Sequence, residues 1–235
     1  IYIRKMNKPY SYSHELNESS FKITKKGLNV VRGINSFIDF SGDRKKFLDN
    51  YDINKKLKDW FINTTNDQNV ISEIAIGIDG DIQKIYYTKQ EFIYGYKINE
   101  KTGSEEKCVY IPAINREDVY LKFISKLQFD KIKKLIPILE DKIVLLNYTV
   151  LNGEKQYLKG LHVTMPIDGV IKLNDPHIKQ VIQILGFETP ELLQFLDDNK
   201  NKIVSFVSFG ENNNYFSVYY LDKETFKKKI ILNQL

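Results

Sequence analysis

Apolar positions recur along this chain at two spacings, and the switches between them mark out strands and helices. Ile74, Ile76 and Ile78 alternate up to the turn Asp79-Gly80-Asp81, after which Ile85 and Tyr87 face away from Lys84 and Tyr86 on a returning strand. Phe92, Tyr94 and Tyr96 line one side of the next strand, "NEKTGSEE" turns the chain, and "KCVYIP" returns. Residues 71–111 therefore read as an antiparallel meander. "KIVLLNYTV" and "QYLKGLHVTM" flank Asn152-Gly153, a dipeptide suited to a tight hairpin because both residues tolerate positive φ. A third hairpin begins at Ile203, turns through Asn212-Asn213-Asn214, and returns as Phe216 to Leu221. The first and third hairpins both end in Tyr-Tyr. Gly80 precedes Tyr86 by six residues, whereas Gly210 precedes Tyr219 by nine, so their turns differ.

Between the hairpins the apolar spacing widens to that of helices. Phe47, Tyr51, Leu57 and Trp60 predict one or two helices between Asp43 and Trp60, with the β-branched and turn-forming run "FINTTNDQN" ending them. Asn115 is placed to cap a helix whose first turn holds Asp118, and Phe123, Leu127, Ile132, Leu135 and Leu139 form its apolar stripe over two segments. Asp175-Pro176 and Thr189-Pro190 each set a capping side chain before a proline at the first helical position, where a missing amide costs little. The stripes that follow are Ile178, Val181, Ile182 and Leu185, then Leu192, Leu193, Phe195 and Leu196. Residues 1–25 show no sustained period and are expected to form an irregular arm with a short strand or two. The class is α+β: a predominantly antiparallel sheet of repeated hairpins with helices packed on one face, as an open sheet or an incomplete barrel. Residues 1–235 read as one continuous domain, the alternative being subdomains 1–141 and 142–235.

Composition narrows the classes of function. The chain is 42% apolar and 28% charged, ordinary for a globular fold, with 14 Phe and 15 Tyr supplying bulk beside the single Trp60. Its formal charge of +5 is spread along the sequence, which disfavours nucleic acid as a partner. Cys108 is alone, so an internal disulfide is impossible, and an intracellular compartment is expected. No run is long enough for a membrane span, and the opening "IYIRKMNKPY" has no apolar signal core. No set of residues has metal-ligand spacing, no cofactor fingerprint is present, and Asp79-Gly80-Asp81 reads as turn chemistry.

Candidate chemistry lies on the strands. His162 and Thr164 share a strand face where they can contact a phosphate, in an order similar to half of a two-histidine phosphoesterase motif. His14 and His177 do not supply the second half, so no catalytic residue is assigned and His162 is read as a ligand contact. Lys84 and Tyr86 share a face, as do Tyr157 and Lys159, and Ser217 and Tyr219. On a curled sheet the two lysines would hold a diphosphate, while the tyrosines form an aromatic wall able to shield a carbocation.

The repeated hairpins and Lys84-x-Tyr86 resemble the aromatic prenyltransferases, whose antiparallel barrel is surrounded by helices. The resemblance covers residues 71–89, 142–165 and 203–223. It implies a diphosphate site formed by Lys84, Tyr86, Tyr157, Lys159 and Tyr219 near a barrel mouth. Three readings of function follow. The favoured one is a noncatalytic binding or assembly protein, such as a viral accessory protein, joined to a protein partner or to its own copy through an exposed aromatic sheet edge. The alternative is a metal-independent aromatic prenyltransferase using an isoprenyl diphosphate. A phosphoester-processing enzyme is the third.

Overall fold

The computed structural model describes residues 9–68, 70–114, 117–136, 143–164 and 170–233. The strands are β1 (Tyr10–Ser11), β2 (His14–Thr24), β3 (Gly27–Gly42), β4 (Val70–Asp79), β5 (Ile82–Lys89), β6 (Phe92–Asn99), β7 (Glu105–Ile114), β8 (Ile143–Leu151), β9 (Glu154–Thr164), β10 (Ile203–Gly210) and β11 (Phe216–Leu221). The helices are α1 (Arg44–Leu48), α2 (Lys55–Thr65), α3 (Glu117–Tyr120), α4 (Lys126–Leu135), α5 (Pro176–Leu185), α6 (Pro190–Asp198) and α7 (Lys223–Asn233). None of these helices is long and apolar enough to cross a membrane.

All the strand pairings are antiparallel, and β1 apart, they form a closed ring of ten strands. The order runs β3-β2-β11-β10-β9-β8-β7-β6-β5-β4, and β4 pairs back onto β3. The barrel is therefore complete, where the sequence left it open or incomplete. Closure also removes the free aromatic edge expected to recruit a partner: β11 is covered by β2, and β4 by β3.

Where helices cover the barrel, the strands turn apolar residues outwards to meet them. Ile74, Ile85 and Tyr87 pack with Leu57 and Phe61 of α2 and Phe47 of α1. On the other flank Phe21, Val163, Val207, Phe216 and Val218 pack with α4, α5 and α6 through Ile132, Ile182 and Leu196. Burying one aliphatic side chain contributes about 1.5–3 kcal/mol, so the outer layer is where the fold gains its stability. The inner side is left to charged and polar residues at one end and to a mixed apolar and polar lining at the other.

Several local expectations hold. Asp175 and Thr189 cap α5 and α6, each followed by proline. Asn152 and Gly153 take positive φ at the β8–β9 turn. Others need correction. Residues 14–24, within the expected irregular arm, form a long strand that pairs with β3; on β2 only Phe21 and Ile23 mark the outer side, while Glu15 and Asn17 on that same side are exposed. Asp39, at φ 51°, interrupts β3 between the buried Phe37 and Phe40 and hides its alternation. α2 runs on through Phe61 to Thr65. Phe61 is fully buried there, and the hydroxyls of Thr64 and Thr65 donate to the carbonyls of Trp60 and Phe61. Leu127 is 65% exposed because the buried stripe of α4 is Phe129 and Ile132. Asn115, Leu139 and the boundary near Asp141 lie outside the described residues.

Candidate functional site

The barrel interior holds two adjoining chambers. The larger, of about 650 Å³, lies at the end formed by the β4–β5 and β6–β7 turns. Lys22, Arg32, Lys84, Lys97 and Lys159 project into it from five different strands, with Asp79 and Glu106 set among them. Lys84 donates to Asp79 at 2.5 Å, and Arg32 Nε stands 4.0 Å from the same oxygen. Lys97 donates to Glu106 at 2.8 Å, and Lys159 donates to its other oxygen. Glu105 also borders this chamber, but its carboxylate is engaged by Lys56 and Tyr96.

Five cations thus crowd around Asp79 and Glu106, with the exposed Asp81 as a further carboxylate of the lining, and burial and the neighbouring charges both show in their acidities. Burial, with Arg32 nearby, brings Lys84 down to about 8 despite Asp79. Burial also lowers Lys22, with Arg32 and Lys159 adding to the effect. Burial works against the ammonium of Lys97 as well, but Tyr86, Cys108 and Glu106 keep its pKa well above the usual lysine value. Glu106 is opposed by burial and still held at about 2 by Lys97 and Lys159. Arg32 Nε and Nη2 are buried without a hydrogen bond, and so is Ser217 Oγ in the same chamber. Buried donors in that condition are costly unless a ligand or water completes them. An anion would complete these donors, whereas Asn147 Oδ1, a buried acceptor of the same chamber, calls for a donor such as water.

Tyr86, Tyr110, His162 and Tyr219 border both chambers and form a belt between them. Ring centroids are 6.1 Å apart for Tyr86–Tyr110, 5.1 Å for Tyr110–His162 and 6.0 Å for His162–Tyr219. The Arg32 guanidinium sits 5.4 Å from the Tyr219 ring centre, and Lys22 4.3 Å from that of Tyr215. Burial, with Arg32 and Lys97, pushes His162 down to about 3, so the imidazole is neutral. It lies 3.5 Å from Ser208 Oγ. Gly95 makes room for the belt: a Cβ there would stand 2.5 Å from the Tyr86 ring.

The smaller chamber, of about 150 Å³, extends from the belt towards the opposite end. Ile34, Ala75, Ile93, Leu145 and Phe206 give it apolar walls, with Glu18, Ser36, Glu73 and Thr88 as polar lining. Ser205 donates to Glu18.

Of the residues singled out in the sequence, the structure brings Lys84, Tyr86, Lys159, His162 and Tyr219 to this interior. Tyr157 is not with them; it is 53% exposed. Register shifts around Tyr148 in the β8–β9 pairing break the alternation that would have put Tyr157 and Lys159 on one face. Sequence reasoning missed Lys22, Arg32, Lys97, Glu106, Tyr110 and Tyr215. Lys97 was legible by parity, since Phe92, Tyr94 and Tyr96 were already placed together on one side of the strand and Lys97 falls on the other. Asp79 was read as a turn residue alone, and it is also the partner of Lys84.

No family model and no curated protein matches the sequence. Solved structures do share the fold. The crystal structure of NotF prenyltransferase matches with a TM-score of 0.51 at 12% identity, over 87% of this chain and 80% of that one. NotF in complex with brevianamide F and DMSPP matches with a TM-score of 0.50 at 12% identity, over 87% and 79%. The chain has a prenyltransferase-like fold, in line with the resemblance seen in its hairpins.

Proposed function

We propose that this chain transfers an isoprenyl group from its diphosphate ester to an aromatic acceptor. The observation that carries the reading is the cluster of five cations, which outnumber the four carboxylates Asp79, Asp81, Glu105 and Glu106 among the described residues of the chamber, set beside a belt of tyrosines. The fold shared with NotF favours it over the assembly reading. Lys22, Arg32, Lys84, Lys97 and Lys159 would take up the charge of the leaving diphosphate as the allylic C–O bond breaks and its electron pair leaves with the oxygen. Tyr86, Tyr110 and Tyr219 would face the allylic cation with their π-systems and keep water from it. An acceptor carbon in the smaller chamber would then supply the pair for the new C–C bond and release its proton to a base, for which the lining carboxylate Glu18 is proposed.

The test is titration with dimethylallyl diphosphate, then mass analysis after adding a panel of aromatic acceptors. Prenylated product from the parent chain, lost in folded Lys84→Ala and Arg32→Ala variants, is the expected result. Binding without product from any acceptor would leave a diphosphate-binding protein. Absence of binding would remove the reading altogether.

A further inference from the structure

The outer face of the barrel carries a further recess, of about 550 Å³, between α2 and the β8–β9 turn. Its floor follows one row of the sheet's register: Tyr87 pairs with Tyr94, and Tyr94 with Val109. The rings of Tyr87 and Tyr94 are stacked with centroids 5.3 Å apart, and Trp60 of α2 stands 5.6 Å from Tyr87 as the wall. The next row towards the β8–β9 turn is Lys107, Val150 and Lys155 on three adjacent strands, and all three line the recess. Ile111 borders it four residues beyond Lys107, roughly 13 Å along β7.

This groove is amphipathic along its length. At one end the exposed Lys107 and Lys155 flank Val150, two strand spacings or about 9–10 Å apart at the backbone, within reach of one shared anion. Lys107 Nζ lies 5.4 Å from the Tyr96 ring centre, and Lys155 Nζ 5.3 Å from that of Tyr148. Those contacts lay the lysine stems over apolar surface and present the charged ends at the groove. Glu105, the carboxylate near Lys107, is already engaged by Lys56 and Tyr96. At the other end the half-buried Phe92 and Ile111 offer apolar surface. Charge complementarity selects a ligand with an anionic head, and the length of the groove calls for an extended apolar body rather than a single ring. We propose that the groove binds a medium-chain aliphatic carboxylate, its head between Lys107 and Lys155 and its chain over Val109 and Tyr94 against Trp60. The groove lies outside the barrel, so this binding stands apart from the transferase reading.

Trp60 is the only tryptophan of the chain, so its fluorescence reports on this groove. Decanoate, decanol and decylamine are titrated into the intact chain near neutral pH, with inorganic diphosphate present throughout to occupy the cations of the barrel. Decanoate is expected to perturb Trp60 at concentrations roughly tenfold or more below those of decanol, with decylamine weakest. In the Lys107→Ala/Lys155→Ala double variant decanoate should fall to within about threefold of the alcohol. No response to decanoate, or an equal response to decanol or decylamine, overturns the proposal. So does a preference for decanoate that survives both substitutions. A Trp60 change on raising the protein concentration alone would give the groove to a second copy and equally overturn it. A response to anionic phosphatidylglycerol vesicles with none to decanoate would give it to a lipid surface, with the same consequence. Only the test of the double variant depends on a substituted chain folding; the parent chain decides the rest.

Discussion

Lys84 and Lys97 stand directly opposite each other across β5 and β6, yet each ammonium has its own carboxylate, Asp79 for one and Glu106 for the other. Like charges paired across strands repel. The juxtaposition persists because each carboxylate screens one lysine, and Glu106 also serves Lys159. Asp79 and Glu106 in this sense stand in for the diphosphate proposed to bind here.

Replacing Asp79 with Asn leaves Lys84 buried without its counter-ion. Breaking a buried ion pair costs about 3–5 kcal/mol when the stranded charge cannot escape. Lys84, already down at about 8, can shed its proton, so a smaller loss of roughly 1–3 kcal/mol is expected. Urea denaturation measures it. Saturating inorganic diphosphate should restore much of the loss, and an equally destabilised variant that diphosphate does not rescue would count against the substitution argument.

The neutral His162 makes stability depend on pH in one direction. Its folded pKa, about 3, lies below the ordinary 6.5, so the unfolded chain takes up this proton first as acid is added. The stability is complete above about 6.5 and is lost as the pH falls towards 3, at up to about 1.4 kcal/mol per pH unit. Glu106, held at about 2 against an ordinary 4.5, adds its own loss only below 4.5. Denaturation midpoints between pH 6.5 and 4.5 therefore isolate the histidine, and His162→Gln should flatten that interval.

Diphosphate affinity should weaken as the pH rises through about 8, because the anion binds the ammonium form of Lys84 and the amine offers it no charge. Calorimetry in buffers of different ionisation heat should register proton uptake on binding in that range. Lys84→Arg keeps the charge and should lose this pH dependence while retaining affinity. An unchanged profile in the arginine variant would assign the effect to another group.

Gly95→Ala drives a methyl into the Tyr86 ring and to within 2.8 Å of Cys108 Sγ. The ring must move into the cavity or the strands must part, at a cost of about 1–3 kcal/mol. Gly33→Ala, with nothing within 4 Å of the added carbon, is the matched control and should be nearly neutral. Thermal melts and diphosphate titration of the two variants compare packing with site geometry. Equal behaviour of both would refute a role for Gly95 in seating the belt.

Strands whose outer side is continuously apolar could be read directly, as with Ile74 and Ile76, Ile85 and Tyr87, or Phe216, Val218 and Tyr220. Their inner faces came with them, which is why Lys84, Tyr86 and Tyr219 were found. Lys22 and Arg32 were lost with β2 and β3, where exposed outer positions and the left-handed Asp39 blur the period. Tyr157 was misplaced by a bulge, which residue types alone do not announce. Closure was least legible. It depends on pairings such as Phe21 with Val218, which no local pattern encodes.

That last pairing also sets an order of events during synthesis. The N-terminal hairpin of β2 and β3 can join β4 early, but its other flank has no neighbour until β11 has left the ribosome. Until then the growing sheet has two bare edges, and the cations of β2, β3, β5, β6 and β9 line an open trough. The enclosed interior comes into being in a single late step, when the C-terminal hairpin is inserted between β9 and β2. Such long-range closure folds slowly and leaves the unfinished sheet vulnerable to aggregation. A nascent chain stalled before Phe216 would expose both edges and have no site.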